Sequence, residues 1–498
     1  MRSLTLAVVM LVALSYAFIC IQEDVSDATS SETVPDGSVY SYDTYGSGHP
    51  NYYCEITSAD VKSETVHIPT VLEGYDVRNI LSGAFDGCSA TSVIIPVNVK
   101  SISAGAFTGC THLTDVYFLG DRPAMDDAFP TGVNIHRFEE TGGWGSETTI
   151  TTVVSEGITY AQFPDGWMAI GGTPTDGTIT IRSEISGGKV TSIGPYAFSG
   201  TMQSSGEVER RTDIVSVHIE SGITDIRERA FYYCDVRDIV MPDSISDIHD
   251  ETFRSAQKLS DASIAQSVKY IGFECYRDCH ALTSITVPDS VKYLGDGCFY
   301  ICSSAETLRI GSGIQSIPVR GFGYCTSLTK VVFDCSPSEI RASAFYNCPS
   351  LKSVSIPDSV RTIGPEAFWN CTSLTNLDLG KVVSIDHGAF RNCTSVKSFD
   401  LPSTVVSLGK YCFADCTKLS DIDAYGPCPA LDDTVFLNDP VTIHCSKDNY
   451  DSWNDSEADT NIKDDLDKKE FNIHLVVIPI VIIFAGIVLF AIVYKRHG

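Results

Sequence analysis

Four aspartates stand at positions where their carboxylates could bind a cation or a basic protein. Asp378, Asp400 and Asp423 recur at intervals of 22 and 23 residues, and Asp421 lies two residues before the last of them. Each recurring aspartate has an apolar residue on either side, which predicts an outward-facing position on a short strand. Carboxylate oxygens are ligands that Ca²⁺ prefers, and they also pair with basic side chains. The alternative is a solvated acidic face, because the chain carries a net charge of −28.

Cysteines are the second group of side chains that could do chemistry. The chain has 18 of them, and ten follow a recurring aromatic residue by three positions. Regular thiols could form disulfides, a metal ladder or buried apolar contacts, and burial is favoured because zinc requires a tighter set of four ligands. A separate pair, Cys428 and Cys445, is the best candidate for a disulfide. The ten regular cysteines are Cys88, Cys110, Cys234, Cys279, Cys302, Cys325, Cys348, Cys371, Cys393 and Cys416.

Three Asn-x-Ser/Thr sequons mark candidate sites of N-glycosylation in an exported protein. Asn370 and Asn392 each precede one of the regular cysteines, so their sequons can be by-products of the repeat. Asn454 follows the last repeat. It is therefore the best candidate acceptor.

Motifs typical of enzymes are missing from the sequence. It has no G-x-S-x-G, no H-E-x-x-H and no P-loop, and its 11 histidines are scattered. We therefore predict no catalytic activity and no resident cofactor. The acidic balance also argues against nucleic acid as a partner, since such binding requires a basic surface.

The elements that would carry these residues come from an internal repeat. The aromatic recurs every 22 or 23 residues within each unbroken run, and one unit runs from Leu351 to Cys371. Leu351, Val354 and Ile356 predict a short strand with alternate side chains inward, which Pro357 ends. The chain then returns through a short helical or 3₁₀ segment around the aromatic. One unit cannot bury its apolar side alone, so stacked units are expected to form an α/β solenoid with a parallel sheet along one face.

The complete pattern, L-x-x-I-x-I-P-x-S-V-x-x-I-G-x-x-A-F-x-x-C, resembles that of the BspA-like (Treponema-type) leucine-rich repeat proteins over roughly residues 60–445. The resemblance implies a right-handed leucine-rich-repeat solenoid. It also implies a surface protein that binds other proteins. Tyr276, Ala256 and Gly321 depart from the pattern at single coils.

Two arrays are predicted because a terminal motif occurs twice. Leu119–Phe129 is echoed by Tyr425–Phe436, and each segment is followed by an Ile-His pair and then a tryptophan. We interpret both as C-terminal caps. The first array is therefore assigned to residues 38–145 and the second to residues 150–454, followed by an acidic stalk at 455–472.

The termini predict export and anchoring. Residues 1–20 have the pattern of a secretory signal peptide. Residues 473–494 include an uncharged stretch long enough to cross a bilayer as one helix, and residues 495–498 follow it with a basic tail. The expected topology is a single-pass protein of the cell membrane with its repeats outside and the four-residue tail in the cytoplasm.

We therefore expect a surface protein that adheres to host, matrix or neighbouring cells through an extracellular protein or glycan. A structural envelope-layer protein that self-associates is one alternative. A surface enzyme or nutrient-capturing receptor is another, and it would use Trp144, Tyr160 and Trp167, the aromatics around the junction of the arrays.

Overall fold

The computed structural model describes residues 30–46, 52–174, 176–203, 207–431, 433–439, 441–456 and 460–466. The predicted signal peptide, membrane span and cytoplasmic tail lie outside these residues. No helix within them is both long and apolar enough to cross a membrane. The chain divides after Ile150 into two compact units.

The first unit consists of short strands. They are Ser30–Thr33 (β1), Val39–Tyr45 (β2), Tyr53–Asp60 (β3), Thr65–His67 (β4), Val71–Leu72 (β5), Tyr75–Ile80 (β6), Ser92–Ile95 (β7), Ser101–Ile102 (β8), Asp115–Phe118 (β9), Ala124–Met125 (β10), Asn134–Arg137 (β11) and Thr148–Thr149 (β12).

The described residues of the second unit continue in the same way and include one short α-helix. Its strands are Thr152–Ser155 (β13), Ile158–Phe163 (β14), Gly166–Gly172 (β15), Thr178–Ile181 (β16), Glu184–Ile185 (β17), Gly188–Ile193 (β18), Thr201–Met202 (β19), Val208–Glu209 (β20), Ser216–Ile219 (β21), Asp225–Ile226 (β22), Asp238–Val240 (β23), Asp247–Ile248 (β24), Tyr270–Ile271 (β25), Ser284–Val287 (β26), Tyr293–Leu294 (β27), Thr307–Ile310 (β28), Ser316–Ile317 (β29), Lys330–Phe333 (β30), Glu339–Ile340 (β31), Ser353–Ser355 (β32), Thr362–Ile363 (β33), Asn376–Asp378 (β34), Ser384–Ile385 (β35), Ser398–Leu401 (β36), Ser407–Leu408 (β37), Asp421–Ala424 (β38), Thr442–Cys445 (β39) and Asn461–Lys463 (β40). A 3₁₀ turn at Lys447–Asn449 leads into the helix Tyr450–Asn454 (α1).

Each regular coil contributes a strand to each of two sheets, where the sequence predicted one. The longer strands pair in parallel, in the order β26-β28-β30-β32-β34, and the two-residue strands form a second parallel ladder, β29-β31-β33-β35-β37. Thr362–Ile363 is one strand of this second ladder, and Ile363 is fully buried. A two-residue strand is too short to show the period of two, so only its inward Ile363 is visible in the sequence.

Both units begin with an antiparallel meander before the parallel coils start. In the first unit β1, β2 and β3 pair antiparallel, and in the second unit β13, β14 and β15 do the same. Strands β1 and β12 lie outside the predicted bounds of 38 and 145. The first unit is therefore longer than predicted at both ends, because flanking strands extend its sheets.

The predicted helical segment around each aromatic is wrong: it is a run of turns. Glu366 and Asn370, two residues before and after Phe368, have φ of 57° and 63°. Left-handed residues at both positions cannot continue a helix. The N–H groups of Glu366, Phe368 and Asn370 instead donate to carbonyls of the next coil, at 2.7–2.9 Å. The non-local bonds between coils replace those of a helix.

The core of the second unit is a column of stacked aromatic rings. Phe345, Phe368 and Phe390 follow one another with ring centroids 5.1 Å apart and planes within 9° of parallel. This separation is close to the strand spacing of about 4.8 Å, which sets one ring per coil. All three side chains are fully buried. The recurring aromatic is thus the central packing residue, as the repeat predicts.

Candidate functional site

The outward face of the longer strands carries the predicted acidic residues, and the structure brings only some of them together. Asp400 in β36 lies opposite Asp423 in β38, and Asp421 is on the same strand as Asp423. Asp378 in β34 pairs with Ser355 in β32, and the ladder ends at β34, so no strand pairing joins Asp378 to Asp400. We call Asp400, Asp421 and Asp423 the acidic patch.

These carboxylates already have partners within the chain. Asp378 accepts hydrogen bonds from Ser355 Oγ at 2.8 Å and from the Gly380 N–H at 3.1 Å. Asp400 and Asp423 also interact with other groups of the protein. In the described part of the chain, no three His, Cys, Asp or Glu side chains are arranged to hold a metal ion.

His444 borders the acidic patch and was missed by the sequence analysis. It lies opposite Asp423 on β39, and its Nε2 is 3.0 Å from Asp421 Oδ1. Its Nδ1 is 2.6 Å from Asp465 Oδ1. The first unit has the same histidine–aspartate contact between neighbouring strands, with His136 Nε2 2.8 Å from Asp115 Oδ1. The twice-occurring Ile-His pair was the signal that could have identified it.

The predicted stalk at 455–472 does not begin at residue 455. Asn461–Lys463 forms β40, which pairs with β39 in parallel. Asp465 then reaches back to His444. Both contacts attach the start of this acidic segment to the last coil, because β39 leaves an open sheet edge that another strand can complete.

A row of aromatic side chains on the turn after the second ladder is a further surface feature. Tyr300 and Tyr324 have ring centroids 5.4 Å apart, Tyr324 and Tyr346 are also 5.4 Å apart, and Tyr346 and Trp369 are 5.6 Å apart. All four side chains are partly exposed. We call these four residues the aromatic ridge.

Arginines close both ends of the aromatic ridge. Arg277 lies over the ring of Tyr300, with its guanidinium carbon 5.2 Å from the centroid. Arg391 lies 5.0 Å from the Trp369 ring and 5.5 Å from the Tyr411 ring. Cation–π contacts of this kind hold large side chains in one orientation. The ridge is therefore a pre-ordered surface.

Upstream of the ridge, the turns around the repeat aromatics carry a largely buried ionic ladder. Arg254 binds Glu274 at 2.9 Å, and Glu274 also binds Arg277. Arg229 binds Glu251 at 2.6 Å, and the Glu251 side chain is fully buried. The residue just after the repeat aromatic is charged at Arg254 and Arg277 and aromatic at Tyr300, Tyr346 and Trp369. Our sequence analysis followed only the aromatic and the cysteine, and so missed this position.

The regular cysteines are buried free thiols, as the burial interpretation predicts. Cys371 Sγ donates to the Phe345 carbonyl of the preceding coil at 3.4 Å, and Cys393 does the same to Phe368 at 3.3 Å. The expected Cys428–Cys445 bridge is not formed. Both are free thiols that donate to different carbonyls, those of Pro429 and Lys463.

The three sequons lie in two different environments. Asn392 donates its side-chain N–H to Asn370 Oδ1 at 2.6 Å, and Asn370 donates in turn to Asn347. Asn454 is exposed at the end of α1.

The aromatics proposed for an enzyme or receptor pocket pack inside their own units. Tyr160 and Trp167 are 0% and 5% exposed in the core of the second unit. Trp144 packs on Phe118 in the first unit, with ring centroids 4.7 Å apart.

The family model for the BspA-type leucine-rich repeat region matches residues 54–136, 175–304, 208–329, 247–375 and 338–444. These matches cover well over half of the chain. The chain belongs to the BspA-type leucine-rich repeat family. The stacked coils, the aromatic column and the cysteine ladder described above are thus the BspA-type repeat as it occurs in this sequence.

Solved structures similar to this BspA-type chain come from several bacteria. A leucine-rich repeat protein from Bacteroides ovatus is 21% identical over 62% of this chain and 99% of its own, with a TM-score of 0.39. A leucine rich cell surface protein from Faecalibacterium prausnitzii is 21% identical over 62% of this chain and 98% of its own, with a TM-score of 0.35. The leucine-rich repeat protein of T. pallidum is 20% identical over 45% of this chain and 91% of its own, with a TM-score of 0.34. No match was found among curated proteins.

Proposed function

We propose that this BspA-type chain is an exported, membrane-anchored surface protein that adheres to host, matrix or neighbouring cells by binding an extracellular protein. The observation that carries the proposal is the aromatic ridge, a continuous row of partly exposed rings closed by arginines at both ends. The proposal assigns no catalytic activity and no resident cofactor.

The side-chain types of the ridge suit a protein partner. Tyrosine, tryptophan and arginine dominate the energetic centres of protein interfaces. Each ridge ring already packs against its neighbour in the next coil, so binding costs little side-chain entropy. The span from Tyr300 to Trp369 crosses four successive coils, which matches an extended contact better than a small ligand.

Electrostatics indicate which kind of protein would bind. The chain has a net charge of −28, and the acidic patch adds local negative charge at the end of the second unit. Opposite charge on the partner would speed association, more so at low salt. We therefore propose a partner with a basic surface.

The test is a binding screen of the immobilised full chain against matrix proteins, glycans and the chain itself, with and without Ca²⁺. Trp369→Ala and Tyr346→Ala should weaken binding of a protein hit at least tenfold, about 1.4 kcal/mol each. Tyr293→Ala is the matched control, because Tyr293 is also a stacked and exposed tyrosine but lies on strand β27, outside the ridge. Equal losses in all three variants would contradict a ridge interface.

The same screen separates the other functions. Saturable binding to glycans alone would replace the protein partner with a carbohydrate. Concentration-dependent binding of the chain only to itself would favour the envelope-layer function. If Asp400→Asn and Asp423→Asn bind the partner with unchanged affinity and unchanged salt dependence, the acidic patch is not part of the interface.

A further inference from the structure

Seven thiols of the second unit's cysteine ladder, from Cys279 to Cys416, follow one rule. Each of the seven donates to the carbonyl of the aromatic residue in the preceding coil, at 3.2–3.5 Å. The carbonyl satisfies the thiol as a hydrogen-bond donor. The donors are Cys279, Cys302, Cys325, Cys348, Cys371, Cys393 and Cys416.

The ladder of the first unit departs from this rule at its first thiol. Cys110 donates to the carbonyl of Phe85 at 2.9 Å, as the rule requires. The coil before Cys88 has no repeat aromatic at the matching position, where Lys62 and Ser63 stand. Cys88 Sγ instead lies 2.6 Å from Cys110 Sγ. The Cys88 thiol is thus directed at the Cys110 sulfur, while Cys110 keeps its hydrogen bond to the carbonyl of Phe85.

The backbone at this point suits a covalent link. The turns that carry Cys88 and Cys110 are joined directly, since Phe85 N–H donates to Ala106 and Gly87 N–H donates to Thr108, at 2.9 and 2.8 Å. Adjacent strands of a sheet lie about 4.8 Å apart. That spacing falls within the Cα–Cα range of roughly 4.4–6.8 Å found in disulfides.

The two thiols also differ in access and acidity. Cys88 is 8% exposed, whereas Cys110 is fully buried. The hydrogen bond with Cys110 lowers the pKa of Cys88, and the same contact raises the pKa of Cys110. Cys88 is therefore the thiol that meets an oxidant first, since the thiolate is the nucleophile.

We propose that Cys88 and Cys110 form a disulfide that joins neighbouring coils of the first unit, by exchange with a small-molecule disulfide such as oxidised glutathione. The Cys88 thiolate attacks one sulfur of that disulfide, forms a mixed disulfide and expels one small thiolate. Cys110 then loses its proton to water, and its sulfur attacks Cys88 Sγ and expels the second small thiolate. The two cysteines give up two protons and two electrons, and the small disulfide is reduced to two thiols.

Peptide mapping of the full chain tests the proposal. The protein is equilibrated with reduced or oxidised glutathione, alkylated under denaturing conditions, digested without reductant and analysed by mass spectrometry. A cross-linked peptide pair containing Cys88 and Cys110 should dominate in oxidised buffer and disappear in reduced buffer. The internal control is the pair Cys371 and Cys393, which are also 22 residues apart but donate to carbonyls; both should be alkylated in either buffer.

Two results would overturn the proposal. One is alkylation of both Cys88 and Cys110 in oxidised buffer while the chain remains folded. The other is a cross-link of equal yield between Cys371 and Cys393, which would show general oxidation of the ladder. Cys110→Ala gives a second measurement: it should leave Cys88 as a mixed disulfide with glutathione, with the mass increase of one glutathionyl group.

Discussion

Asn392 donates its side-chain amide to the side-chain oxygen of Asn370, one coil away, at 2.6 Å. The donor is the nitrogen to which an N-linked glycan would attach. Both asparagines have left-handed backbones, with φ of 61° and 63°. The two sequons are therefore part of the packing between coils.

Glycan occupancy should differ between these two packed asparagines and the exposed Asn454. In the folded chain exported from a cell that performs N-glycosylation, we expect a glycan at Asn454 and none at Asn370 or Asn392. Enzymatic deglycosylation in heavy-oxygen water followed by peptide mass spectrometry reads all three sites. Asn454→Gln should remove the entire glycan mass, and a remaining glycan at Asn370 would show that the amide ladder is open.

Reactivity of the thiols should follow their burial. Burial raises the pKa of Cys325 and of Cys371 to about 12. At pH 8 these thiols are protonated and inaccessible, so they should resist an aromatic disulfide reagent until the chain unfolds. Cys428 is only half-buried and serves as the control that reacts first. Fast labelling of Cys371 in the folded chain would contradict a closed ladder.

The aromatic column should dominate stability. Phe368→Ala removes a fully buried ring that stacks on rings of both neighbouring coils, and it should lower the free energy of unfolding by about 3–5 kcal/mol. Val406→Ala is the control, because Val406 is 60% exposed, and it should change stability by less than about 0.5 kcal/mol. Denaturant unfolding measures both. A small effect of Phe368→Ala would show that the core can collapse around the missing ring.

Stability should fall as pH rises above neutrality, because of His249. Burial disfavours the charged ring, but Asp225 and Glu228 outweigh burial and raise the pKa of His249 to about 10. A folded-state pKa above the unfolded value near 6.5 gives stability that is complete below pH 6.5 and is lost as pH rises towards 10. Burial also raises the pKa of Asp250 to about 8. Its contribution likewise lowers stability as pH rises, between about pH 4 and pH 8.

The check is thermal unfolding between pH 6 and 10. The slope of stability against pH should be smaller in His249→Gln than in the original chain. His218→Gln is a control histidine variant, since His218 is exposed on β21. An identical slope in His249→Gln and the original chain would assign the pH dependence to other groups.

Sequence alone could predict the parts of this fold that repeat with the same residue types. Phe368 and Cys371 are buried because the same residues recur at the same step in many coils. The left-handed conformations of Glu366 and Asn370 could not be predicted, since the N–H groups of both residues donate to carbonyls of the next coil. The ridge was missed for a related reason: Tyr346 and Trp369 occupy one repeat position with different residue types.

The outward position of the acidic residues could be predicted from the sequence, but their grouping could not. Alternation along each strand correctly predicted that Asp400 and Asp423 lie on the outward side. The end of strand pairing between β34 and β36, which leaves Asp378 outside their ladder, depends on how successive coils stack. His444 and Asp465 come together only after β40 has paired with β39.

Coil-to-coil hydrogen bonding has a mechanical consequence for the second unit. The bonds of both parallel ladders connect one coil to the next, so a pull on the last coil loads the bonds of that coil before those of the coil beneath it. Coils should therefore peel away singly, in sequence. Each released coil of 23 residues adds about 80 Å of extended chain. An array built in this way lengthens in steps under tension and dissipates work while the remaining coils stay closed.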